Sequence, residues 1–109
     1  MASHVIGEGS ELAAVLTEIA DERRRQDERW GPQNHPDGTG HWYAADAALA
    51  RKECEEAAET GSLSWRHILL EEVAEATAEA GPENLRRELI QVAAVAVAWA
   101  EAIDRRAAR

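Results

Sequence analysis

Five side chains able to supply hard oxygen ligands fall into two short motifs, Glu71-Glu72-x-x-Glu75 and, after a spacer of twelve residues, Glu88-x-x-Gln91. On a helix turning about 100° per residue, Glu72, Glu75 and Glu79 lie within roughly 40° of Ile68. They form an acidic ridge beside an apolar stripe of Leu69, Val73, Ala76 and Ala80. A second helix carries the stripe Leu85, Leu89, Val92, Ala96, Trp99 and Ile103, with Val95 on its flank. Glu88 projects into that stripe and Gln91 lies at its edge. A carboxylate among apolar side chains is costly unless it is paired or metal-bound. The short 80–83 connection makes the two helices antiparallel, so Glu72 and Glu75 face Glu88 and Gln91. Oxygen ligands, with no cysteine or histidine at ligand spacing, point to Mg²⁺ or Mn²⁺ rather than zinc. A di-iron bundle needs Glu-x-x-His pairs, and none is present. Two plainer readings stay open on these residues: the acidic ridge is a solvated helix face, and Glu88 pairs with Arg23, Arg51 or another arginine.

The elements that hold these residues are all helical. Residues 1–9 read as a leader, followed by a single domain over residues 10–109. Ser10 is a natural N-cap for a first helix reaching about Arg29, with Leu12, Val15, Leu16 and Ile19 at helical spacing. Trp30-Gly31-Pro32 ends it, and residues 33–40 form a polar loop. A second helix spans about residues 41–60, with Ala44, Ala45, Ala48 and Leu49 towards the core and Gly61 as its stop. Ser62 or Ser64 caps a third helix over residues 65–79. Pro82 opens a long fourth helix ending near Arg105. The Val-Ala alternation near residues 92–97 is the one place where a strand competes, and the flanking charges favour helix.

The two motifs together resemble the E-E-x-x-E, spacer, E-x-x-D signature of the MazG-like, all-α nucleoside triphosphate pyrophosphohydrolases. Their framing is similar too: Ile68-Leu69-Leu70 before the first, Leu85-Arg86-Arg87 before the second, and a long apolar helix after it. The resemblance covers about residues 64–103. The run Glu22-Arg23-Arg24-Arg25-Gln26-Asp27-Glu28-Arg29-Trp30-Gly31-Pro32 looks like the opening of short MazG-like proteins of bacterial and phage genomes. What the resemblance implies is an all-α four-helix bundle, dimeric or tetrameric, that cleaves an NTP or dNTP between the α and β phosphates. It also implies that Glu72, Glu75, Glu88 and Gln91 hold Mg²⁺, with Mn²⁺ able to substitute. Glu71 is then the candidate to orient or deprotonate the attacking water. Gln91 departs from the pattern, because the family's second motif ends in Asp. An amide oxygen coordinates without charge, which lowers metal affinity and leaves a second function open: a non-catalytic helical interaction module with a degenerate metal site.

Composition bounds the remaining choices. The net charge of −9 argues against a nucleic-acid or anionic-membrane partner. An alanine-rich core without phenylalanine buries little apolar area per side chain, so a homodimer or homotetramer is expected. Cys54, the only cysteine, reads as a small packing residue, and the absence of a signal-like N-terminus predicts a cytoplasmic protein. In the 30–42 loop, Trp30 or Trp42 could stack on a base and Asn34 or His35 could read its edge; the competing role for the tryptophans is to anchor the loop. Lys52, Arg51, Arg66, Arg86 and Arg87 are candidates to grip phosphate oxygens. Trp65 and Trp99 suit the core or a subunit interface.

Overall fold

The structure is a computed structural model that describes residues 10–108, so the expected leader lies outside the described residues. It is all-helical: α1 Glu11–Trp30, a 3₁₀ turn His41–Tyr43, α2 Ala44–Glu59, α3 Trp65–Thr77 and α4 Pro82–Ala107. No strand occurs among the described residues, so the Val-Ala alternation of α4 is helical. Among the described residues no helix is long and apolar enough to cross a membrane. The described residues divide into two compact units, one of residues 10–36 with 97–108 and one of residues 37–96.

In the first unit, Ser10 caps α1 by accepting the Ala13 N–H at 2.9 Å. Gly31, at φ 67°, closes the other end with its N–H on Asp27 O at 2.8 Å. That left-handed turn is open to glycine at little cost. Val15 and Val97 are buried, and Arg105 reaches Glu11 at 3.1 Å. Of the expected α1 stripe, Leu12 and Ile19 are exposed instead. A surface ladder (Arg23–Asp27, Arg24–Asp21, Arg25–Glu22) runs along the middle of the helix.

The second unit positions the acidic motifs. Its α2 and α3 pack antiparallel, as shown by Arg51 against Glu75 and the Gly40 N–H on Thr77 O at 2.9 Å. Gly61, at φ 74°, turns the chain out of α2. Ser64 caps α3, and His67 returns the contact by accepting the Ser64 N–H at its Nδ1, 3.1 Å away. Histidine here takes the part that glutamate or glutamine plays in a capping box. Gly40 is buried because the Trp42 indole lies over it, and a β-carbon there would overlap the ring.

Two expected stripes are rotated. On α2 the inward series is Tyr43, Ala47, Ala50, Cys54 and Ala57, spaced four and three residues apart, whereas Ala44, Ala45, Ala48 and Leu49 are exposed. Alanine occurs on every side of α2, so periodicity alone had no unique stripe to select. On α3 the less exposed face runs through Trp65, Ile68, Leu69, Glu72, Ala76 and Glu79, while Val73 and Ala80 are exposed. The acidic ridge is therefore part of the packed face of α3 and not its border. On α4, Leu85 is buried and Glu88, Val92 and Val95 are half-buried, but Leu89 and Ala96 are exposed.

Candidate metal centre

The site is built from two helices and the turn between them. Glu72 and Glu75 lie three residues apart on α3, so they share one side of it. The chain then reverses through residues 78–81, and α4 brings Glu88 back beside them on its second turn. One carboxylate oxygen from each of Glu72, Glu75 and Glu88 lies within 4.8 Å of the others, and all three residues are half-buried. Glu72 Oε2 and Glu88 Oε2 expose less than 1 Å² each and have no hydrogen-bond partner.

Three carboxylates this close repel one another, and burial sharpens the repulsion. Glu72 records the consequence. Its pKa is pushed above the ordinary 4.5, first by burial, then by the charges of Glu75, Glu88 and Glu71. Among the described residues the one cation recorded in contact is Arg51, whose Nη2 lies 3.4 Å from Glu75 Oε1. Its side chain is 53 % exposed, so the pair contributes at most about 1 kcal/mol. Glu88 Oε2 has no such partner, and Arg23 is engaged with Gln26 and Asp27. The expected arginine partner thus stands on Glu75 rather than Glu88.

Beside the triad opens a hollow of about 400 Å³. Ala44, Ala47, Ala48 and Ala78 form its small apolar wall, with Arg51, Glu75, Glu79 and Glu88 on the charged side. The sequence offered Arg51 only as one of several cations, and Glu79 only as part of the acidic ridge. Both reach the site through the α2–α3 register, for which a single sequence carries no local signal.

The other expected site residues are placed as follows. Glu71 turns towards α2, where it accepts a hydrogen bond from the Cys54 thiol. That bond, burial and the charges of Glu71 and Glu55 push the thiol up to about 11, so it stays protonated and unreactive at neutral pH. Gln91 is exposed, one turn beyond Glu88. Lys52 and Arg87 are held on their own helices, Lys52 by Glu56 at 3.9 Å and Arg87 by Asn84 Oδ1 at 2.7 Å. Neither lines the hollow beside the triad. Trp42 is 63 % exposed, packed on Gly40 and edge-on to His41. In the first unit, Trp30, Pro32, Gln33, Asn34 and His35 line a separate hollow of about 390 Å³, with the Arg29 guanidinium 4.9 Å from the Trp30 ring.

The donor set fits a hard divalent cation. Oxygens bound to one octahedral Mg²⁺ at about 2.1 Å lie roughly 3.0 Å apart, or roughly 4.2 Å where they are trans, so the three carboxylates have to draw in from the 4.8 Å that bounds them here. Two buried, unpartnered oxygens are the groups such an ion would satisfy. No known protein-family model, curated protein or solved structure matches this chain.

Without a divalent cation, the raised pKa of Glu72 sets a pH dependence. The folded chain holds this proton more tightly than the unfolded chain. The resulting stabilisation is complete below the ordinary 4.5 and is lost as pH rises through the raised value. In EDTA, the melting temperature should fall as pH rises from 4.5 through that window, and Glu72→Gln should flatten the fall. Equal slopes for the two proteins in thermal melts would contradict the assignment.

Proposed function

We propose that this chain is a divalent-cation-dependent nucleoside triphosphate pyrophosphohydrolase of the MazG-like kind, acting on an NTP or dNTP. The observation that carries the reading is the convergence of Glu72, Glu75 and Glu88 from two helices, with two of their oxygens buried and unpartnered. Their order and spacing in the sequence resemble that family's motifs, and the all-helical fold agrees with it.

Glu72, Glu75 and Glu88 would hold the ion, with the Gln91 amide as an uncharged fourth donor after a change of rotamer. A bound Mg²⁺ would offset triphosphate charge, lower the pKa of a coordinated water and align it for attack on the α-phosphorus. The chain's own residues do the rest. The alanine wall of the hollow leaves room for a phosphate chain beside the triad, and Arg51 lies on its charged side. Glu71 is the candidate to orient the attacking water, and to reach it the carboxylate must leave the Cys54 thiol. Trp30, Asn34, His35, Trp42, Lys52 and Arg87 are proposed only as peripheral substrate contacts.

Incubation with a panel of NTPs and dNTPs in Mg²⁺ should release monophosphate and pyrophosphate. Glu75→Ala and Glu88→Ala should each lower turnover by about 100-fold or more, since loss of a ligand exceeds loss of its supporting contacts. Helicity by circular dichroism should be unchanged. No turnover of any nucleotide, with Mn²⁺ tried as well, would remove the enzymatic reading.

We further propose that the functional form is a homodimer or homotetramer with a MazG-type bundle. No side chain among the described residues is fully buried within one chain, and Leu89 and Ile90 of α4 stay about half exposed, at 50 % and 55 %. Apolar exposure on this scale marks a surface that another surface covers. Light scattering should give a mass of two or four chains, and Leu89→Glu should lower it. A monomer at all concentrations would contradict the assignment.

A further inference from the structure

Arg51 is the only cation recorded in contact with the carboxylate triad among the described residues. It reaches Glu75 across the α2–α3 interface, yet half of its side chain faces solvent, whereas the Glu75 side chain is only 25 % exposed. The 3.4 Å contact is long, and it involves a single guanidinium nitrogen rather than a paired fork. Around it, Ala44, Ala47, Ala48 and Ala78 leave the hollow open, so no neighbouring bulk fixes the guanidinium in place.

Glu75 meanwhile belongs to two arrangements. One of its oxygens lies in the triad with Glu72 and Glu88, and Oε1 faces Arg51. A carboxylate that turns its charge to a divalent cation has less left for a weakly held guanidinium. An arginine released beside that ion stands where an anionic oxygen would arrive with it.

We propose that Arg51 is an exchangeable counter-ion of the triad. It screens Glu75 while the carboxylates are free of metal, and it is released, when they bind a divalent cation, to grip a phosphate oxygen of the metal-bound substrate in the adjoining hollow. This rests on the triad being a metal site, and it adds a regulation of that site: the protein holds its phosphate-binding arginine in reserve until the ion is in place. The class of ligand is a polyphosphate presented with its metal. The planar guanidinium suits it, because two N–H groups can meet two phosphate oxygens at once.

The test is Mn²⁺ binding to the purified full chain, read from the free-Mn²⁺ electron paramagnetic resonance signal, for wild type, Arg51→Gln and Arg51→Lys. Circular dichroism serves as the check on folding. Removing the competing cation should tighten Mn²⁺ binding in Arg51→Gln by about 2- to 5-fold, the fold-change to which a weak ion pair converts. Arg51→Lys should stay near wild type. With Mn²⁺ saturating, inorganic tripolyphosphate should bind Arg51→Gln about 10-fold more weakly than wild type, as loss of a charged hydrogen bond demands. Mn²⁺ binding that is equal or weaker in Arg51→Gln overturns the exchange and leaves the triad standing as a metal site. Unchanged tripolyphosphate affinity overturns the phosphate grip. Absence of Mn²⁺ binding in every variant removes the metal site and the exchange with it.

Discussion

The constraint on which this molecule turns is the mutual repulsion of Glu72, Glu75 and Glu88, whose oxygens come within 4.8 Å of one another where the chain passes from α3 into α4. Helix geometry forces two of them together, since residues three apart share a face. The tight 78–81 turn and the burial of Leu85 fix where α4 begins, and that brings the third. Each carboxylate could be relieved by turning into water. Two of them instead keep an oxygen buried without a partner, and Glu72 answers with a raised pKa. A fold that holds like charges together in this way carries a standing cost, which a bound cation would offset.

Around that centre the structure separates two chemical environments on α3. Glu72 and Glu75 face the triad, while Glu71 faces α2 and is occupied by the Cys54 thiol. Neighbouring acids therefore differ by orientation alone. The alanines of α2 have a matching role. Their small side chains leave a hollow that larger residues would fill.

The helices were legible from their punctuation. Ser10, Gly31, Gly61, Ser64 and Pro82 each mark an observed boundary, because caps and breakers act through local backbone chemistry that the sequence states directly. The triad was legible for a similar reason: it needs only the helical period and one short turn. What the sequence left open is the rotation of each helix about its axis. Val73 was expected inside and is exposed, whereas Glu72 is half-buried. On α2 the expected Ala44, Ala45, Ala48 and Leu49 face yields to Ala47 and Ala57. Alanine barely distinguishes buried from exposed positions, so hydrophobic periodicity lost its resolving power where the helices are richest in it. Arg51 as partner of Glu75 depends on the register between α2 and α3, which sets together two residues 24 apart in sequence and which no local pattern encodes.

The most direct test of the account is a crystal of the chain soaked in Mn²⁺ and measured at the manganese absorption edge. An anomalous peak bounded by oxygens of Glu72, Glu75 and Glu88 is the predicted result. A crystal in which those carboxylates point apart into solvent, with no peak between them, would contradict it.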